Sequence, residues 1–200
     1  MTENWRNIPV PDRMKNLPRD PRGFPIFIMA YRDPNGRAHF TVNDEDVRRR
    51  LIAQDRCSVC GGRLQRGRWF VGGEKSAFDP CGAYLDPPMH HECAGYALQV
   101  CPYLASPVYA KLIHGATLPP GSAMTIDPTA IVSPSTVDEV RPALFVAVHA
   151  RGQRVHDSLG GLVIVPKRPY IAVEYWQHGV KLAAAEGAAL VRQTGLMVPA

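Results

Sequence analysis

The sequence predicts an α+β fold, and three observations predict it. Cys57-Ser58-Val59-Cys60-Gly61-Gly62 is a Cys-x-x-Cys knuckle whose glycines let the backbone turn tightly beneath an ion. With 29 residues between, His90 and Cys93 form a His-x-x-Cys pair that opens HECAGYALQVC, a stretch with helical character. Beyond residue 142 the runs ALFVAVHA, GGLVIVP and YIAVEYW are rich in Val, Ile and aromatics and read as strands. VKLAAAEGAALVRQ, stopped by Gly195, reads as a closing helix. Knuckle first and helix-borne pair second is the order of a treble-clef zinc finger. The whole expectation is a treble-clef-like centre with an N-terminal β-hairpin and helix, plus a small C-terminal antiparallel sheet and its closing helix.

The elements follow in order. IPVPDRMKNLPRDPRG is a proline-rich, irregular lead-in, and PIFIMAYRD then reads as a strand. Asp33-Pro34-Asn35-Gly36 is a turn signal and RAHFTV the returning strand, together a hairpin. Asn43 or Asp44 caps the next helix, with Glu45 and Asp46 in its first turn, where they favour the helix dipole. Val47, Leu51 and Ile52 supply its apolar face, and it delivers the chain to Cys57. From Gly115 to Pro142 the strings LPPGS, DPTA, SPST and VRP break every apolar run, as a long loop or linker would. The expected organisation is a zinc-binding lobe at 1–114, a Pro-rich loop or linker at 115–142, and strands plus helix at 143–200. Three strands and one helix are few for an independent unit, so the last part is expected to pack on the first. No internal repeat or heptad pattern is present.

The ligand set can be argued from helix geometry. Zinc is held by four soft or borderline donors in a tetrahedron, and two short pairs are a common source of them. Residues three apart share a helix face, so His90 converges with Cys93 while His91 points away. Cys101 lies roughly 12 Å along the axis from Cys93 at about 1.5 Å per residue, too far for one ion. It reads as a small buried apolar residue on the stripe of Tyr96, Ala97 and Val100. Cys81, in the loop DPCGAYLDPP, is the rival to His90, and the residues leave both sets open. The expected metal ligands are Cys57, Cys60, His90 and Cys93, around a structural zinc ion.

Composition bounds the class. A chain of 200 residues can bury roughly 70% of the surface its unfolded form exposes, enough for one core or two small lobes. The opening MTENWRNIPVPDRMKN lacks the apolar run of a signal peptide, and no segment is apolar and long enough to span a membrane. Five cysteines, two in a metal-type pair, fit a reducing compartment better than a disulfide framework. The expectation is a cytoplasmic protein with no membrane partner and no evident small-molecule cofactor.

The net charge of +5 is uneven: residues 1–75 hold 15 Lys and Arg against 9 Asp and Glu, leaving −1 for the rest. Arg48, Arg49 and Arg50 are consecutive, Arg56 abuts Cys57, and Arg63, Arg66 and Arg68 follow Cys60, with Trp69 and Phe70 next. A basic, aromatic-laced hairpin can bind phosphates and stack bases, which makes Arg63, Arg66 and Arg68 candidate nucleic-acid contacts. The plainer reading is a solvated helix face followed by a hairpin whose aromatics enter the core.

Enzymatic readings meet specific obstacles. Zinc deaminases pair His-x-Glu with a later Pro-Cys-x-x-Cys; His90-His91-Glu92 lacks that partner, since Pro80-Cys81 precedes it and leads to Tyr84. A nuclease of the His-metal-finger type is the stronger alternative, with Asp86 and His91 as parts, yet no Asn or His in the helix after Cys93 completes its set. His114 lies too far along. His156-Asp157-Ser158 names the hydrolase triad residues, but sequence neighbours do not form that geometry and no Gly-x-Ser-x-Gly elbow is present. It reads as a polar turn before Gly160-Gly161.

The segments LPRDPRGFPIFIMAY, FTVNDEDVRRRLIAQDRCSVCGGRL and DPPMHHECAGYALQVCPYL resemble a family of small uncharacterised zinc-binding proteins met in phages, prophages and bacterial genomes. The family pattern is Arg-Gly-Tyr-Pro-Ile, a helix into Cys-x-x-Cys-Gly, then Pro-Pro-x-His-x-x-Cys-Ala and a later Cys-Pro-Phe/Tyr-Leu. Here it falls on Arg22 to Ile26, Cys57 to Gly61, Pro87 to Ala94 and Cys101 to Leu104. The likeness covers about the first half, reaches weakly to VEYWQHGVKLAAAEG, and departs in the Pro-rich middle. It implies the fold, a zinc site that uses His90, and a bacterial or phage-infected cytoplasm, and it implies no particular activity. The expected work is that of a macromolecule-binding module, with protein or nucleic acid as partner.

Overall fold

The computed structural model describes residues 3–65, 67–105, 142, 144–158 and 161–198. Arg66, His114 and all of the expected 115–142 loop except Pro142 lie outside them. The architecture is mixed α+β with several antiparallel sheets and few helices.

After two short 3-10 turns, β1 (Ala30–Arg32) and β2 (Ala38–Asn43) form the N-terminal hairpin. Asp33 builds its turn by accepting from the backbone of Asn35 (3.0 Å) and Arg37 (2.9 Å). β1 is shorter than the apolar run PIFIMAYRD suggests because the backbone before it bonds elsewhere. Ile26 donates to Pro18 O (2.8 Å) in the lead-in and Ile28 to Val59 O (2.9 Å) in the knuckle. Asp44 caps α1 (Glu45–Ala53) by accepting from Val47 N at 3.0 Å. Leu51 is buried from this helix, and so, against the expectation of a solvated arginine face, is Arg48. Arg49 and Arg50 stay exposed.

The knuckle runs into β3 (Arg68–Gly73), followed by the one-turn α2 (Glu74–Phe78) and then α3 (His91–Val100) and α4 (Pro102–Ala105). The later elements are β4 (Phe145–Ala150), β5 (Gln153–Ser158), β6 (Gly161–Pro166), β7 (Ala172–Gln177), β8 (Val180–Lys181) and α5 (Ala184–Gln193). β5 and β6 pair as a hairpin, so His156 and Asp157 sit in a strand and not in a turn. The larger sheet has the order β3-β4-β7-β8, all antiparallel, and takes its first strand from the segment that leaves the knuckle.

That sheet has two buried faces. The register pairs Trp69 with His149, Phe70 with Val148 and Val71 with Ala147. Side chains alternate across a strand. Trp69, Phe145, Ala147 and Trp176 therefore pack with Cys93, Tyr96 and Leu98 of α3 and with knuckle residues Cys57 and Val59. Phe70, Val146, Val148 and Tyr175 point the other way, against Phe78 of α2, Ile164 of β6 and Val191 of α5. A strand covered on both sides reads as a continuous apolar run, which accounts for FVAVHA in β4. Burying a side chain such as Phe70, fully enclosed here, contributes about 1.5–3 kcal/mol. The knuckle end and the C-terminal strands thus share one core.

Candidate metal centre

The knuckle is a tight hairpin. Cys57 N donates to Gly62 O (2.8 Å) and Gly61 N to Cys57 O (2.9 Å), while Arg56 and Arg63 bridge as an antiparallel pair. Gly61 sits at φ 70°, a left-handed conformation that costs a side chain roughly 1–2 kcal/mol and glycine almost nothing. The second pair is brought in by β3. Trp69 and Met89 exchange backbone bonds of 3.0 and 2.8 Å, and Ser58 N donates to Pro88 O at 3.1 Å. His90 follows directly as the N-cap residue of α3, in extended conformation (φ −70°, ψ 153°), and Cys93 lies in the helix's first turn.

The result is a closed group in which the ligand atoms of Cys57, Cys60, His90 and Cys93 all lie within 4.8 Å of one another. Cys60 Sγ and His90 Nδ1 are 3.3 Å apart. A tetrahedral ion with bonds near 2.3 Å to sulfur holds its donors roughly 3.8 Å apart, so this spacing fits one. Cys57 and Cys93 are fully buried, Cys60 and His90 partly. His90 Nε2 lies 3.1 Å from Arg63 O. A carbonyl can only accept, so the ring proton belongs on Nε2 and the Nδ1 lone pair faces the sulfurs, the arrangement that fixes a metal-binding histidine.

The electrostatics of the group favour a cation at its centre. Burial opposes ionisation of Cys57, but hydrogen bonds from Cys60, Cys93 and His90 outweigh it and hold that thiol far below the usual range. The Cys57 and Cys60 sulfurs, and then burial, push Cys93 far up. Interaction with the Cys57 thiolate raises His90 against the opposing effect of burial. One negative charge is thus tolerated and further ones are resisted, a conflict that a divalent ion removes. Arg13, ion-paired with Glu92, adds positive charge on the side of Cys60 and Cys93.

The other sequence candidates are placed as follows. His91 turns away from the sulfurs, stacks on Trp69 (centroids 4.2 Å, 23°) and meets Glu174 Oε1 through Nε2 at 2.9 Å. Trp69 stacks on His149 as well, at 5.0 Å and 6°. Cys81 is exposed in its loop, its N–H bonded to the Asp79 carboxylate (2.8 Å). Cys101 is half-buried at the C-cap of α3, its N–H bonded to Ala97 O (2.9 Å), and is less enclosed than the stripe argument expects. Trp69 and Phe70 are core residues, 8% and 0% exposed, so neither presents a face for base stacking. Of the basic candidates, Arg63 is exposed, Arg66 lies outside the described residues, and Arg68 is half-buried and gripped by Asp55. Asp86 accepts from Asn43 Nδ2 at 3.0 Å.

Arg48 is the residue that sequence reasoning missed. It is 4% exposed. It donates to Leu85 O (2.7 Å) and Leu162 O (2.5 Å), and to both Glu45 oxygens (2.9 and 3.1 Å). It ties α1 to the loop before His90 and to β6. Its place at the head of three consecutive arginines gave no signal of this. Comparison with models of known families, with curated proteins and with solved structures finds no match.

Proposed function

We propose that this chain is a zinc-stabilised, treble-clef-like binding module whose work is to hold a macromolecule. The observation that carries the reading is the closed Cys57–Cys60–His90–Cys93 group. Three thiols and an imidazole suit zinc, and a set with four protein donors leaves no open position for water, the mark of a structural site. When bound, the ion supplies charge neutralisation and a cross-link between the knuckle and α3. Three thiolates around a dication leave one negative charge. His91 and Asp86, the parts a nuclease would need, are engaged with Glu174 and Asn43, which favours binding over catalysis.

The test is metal content together with stability. Protein expressed with ample zinc should carry one ion per chain, and cobalt(II) substitution should give the absorption bands of a tetrahedral, sulfur-rich site. Cys57→Ser should lose metal and fold together, since zinc in small sites supplies roughly 10–16 kcal/mol of apparent free energy. Protein that is folded and free of zinc, with an unaltered denaturation midpoint after treatment with a chelator, would refute the reading.

A further inference from the structure

The fold assembles a row of cations that the sequence keeps apart. Arg56 and Arg63 are exposed and face each other across the knuckle's antiparallel bridge, where like charges directly opposite are destabilising. Arg56 Nη1 donates to Gly61 O at 2.9 Å, which holds it on the knuckle rather than against an acid. Leu64 N donates to Asp55 O (2.9 Å), and the Asp55 carboxylate grips Arg68. Arg68 Nη1 in turn reaches Arg151 O at 3.4 Å. Lys167 N bonds Gly152 O (2.8 Å), and the Lys167 stem lies alongside Gly152, next to Arg151. The row therefore runs Arg56, Arg63, Arg68, Arg151, Lys167.

Two features mark this row. Among the described residues, Arg56, Arg63, Arg151 and Lys167 are all exposed and none makes an ion pair with a carboxylate. Among the described residues, the acid along it is Asp55, which is taken by Arg68, the member that is half-buried. Some exposed cations elsewhere are matched, as Lys15 with Asp12, Arg22 with Asp20, Arg49 with Asp157 and Lys181 with Glu174, while Arg32, Arg37 and Arg50 stand singly among the described residues. Gathering like charges without compensation opposes folding, and it favours binding of a polyanion.

We infer that this row is a contact surface for the phosphate backbone of duplex nucleic acid. The inference rests on the binding-module reading above and names the partner. A duplex fits better than a single strand, because single-strand binders add aromatic platforms for the bases, and Trp69 and Phe70 beside the row are enclosed in the core. Contact through phosphates alone is independent of sequence and releases counterions.

The experiment uses the zinc-loaded full chain and a fluorescein-labelled duplex, read by anisotropy from about 50 to 200 mM salt. Binding should weaken with salt on a log–log slope of about −3 to −4, roughly −0.9 for each phosphate neutralised. Arg63→Glu with Lys167→Glu should weaken binding at least tenfold at the lowest salt and reduce the slope by about 2. Arg37→Glu, on the N-terminal hairpin, should change neither. Failure of the zinc-loaded wild type to bind duplex refutes the inference, and so does binding that survives the double charge reversal. Retention of an acidic protein or peptide in place of duplex refutes it too, in favour of a protein partner. Zinc content of the same samples reports separately on the metal-centre reading. A zinc-free folded chain overturns that reading, whereas a zinc-loaded chain that ignores duplex overturns only this one.

Discussion

His90→Ala and His91→Ala change adjacent residues of one type and should have opposite effects. His90 supplies one of four donors and is held by the Arg63 carbonyl at 3.1 Å. Spread over four ligands, about 10–16 kcal/mol of site free energy amounts to about 3–4 kcal/mol each, so His90→Ala should lower zinc affinity by roughly two to three orders of magnitude. His91 lies outside the group, 57% exposed, stacked on Trp69 and bonded to Glu174. Its loss should leave zinc affinity unchanged and cost about 1–2 kcal/mol of stability from the stack and the exposed pair. Competition against a chromophoric chelator at neutral pH measures the first quantity, and urea denaturation of the zinc-loaded proteins the second. Zinc loosened equally by both changes refutes the ligand set. So does wild-type affinity in His90→Ala combined with metal loss in Cys81→Ala.

Arg48→Met keeps the apolar stem and strands the Leu85 and Leu162 carbonyls, and should lower unfolding free energy by about 3–5 kcal/mol with zinc retained; denaturant titration beside metal analysis checks both halves. Gly187→Ala tests the sheet–helix contact by its sign. Helix propensity alone predicts a gain of about 1 kcal/mol, but the new Cβ would fall 2.1 Å from Tyr175 Cγ, so a net loss of about 1–3 kcal/mol from overpacking is expected in the melting temperature. Cys101→Ser should keep its zinc and cost about 1 kcal/mol at its half-buried helix end, read by metal content and denaturation. Phe70→Ala, in the second core and away from the ligands, should cost about 3–5 kcal/mol while leaving zinc stoichiometry at one in the fraction that stays folded.

What the sequence determined by itself is what depends on residues close together in the chain. The knuckle is four residues with glycines behind it. The three-residue step from His90 to Cys93 at a helix start points both donors the same way, and that step also set His91 aside. The hairpin turn at Asp33–Gly36, the Asp44 cap and the three apolar runs after residue 142 were legible for the same reason: turn chemistry, capping and hydrophobic period act within one turn or strand. Tertiary structure decided what rests on partners far away. RWFVGG became β3 because β4, far along the chain, offered matching bonds and elements on either side covered both faces, and QRVHDS became β5 against β6 despite its polar text. The same distant packing chose Arg48 over Arg49 and Arg50 for burial, since only Arg48 faces the carbonyls of Leu85 and Leu162. It also brought Arg151, from the less basic part of the chain, to Arg68, with the Lys167 stem alongside Gly152. Charge and periodicity are properties of a chain, but which carbonyl a guanidinium meets, and which cations stand together, depends on registers fixed only when the sheet closes.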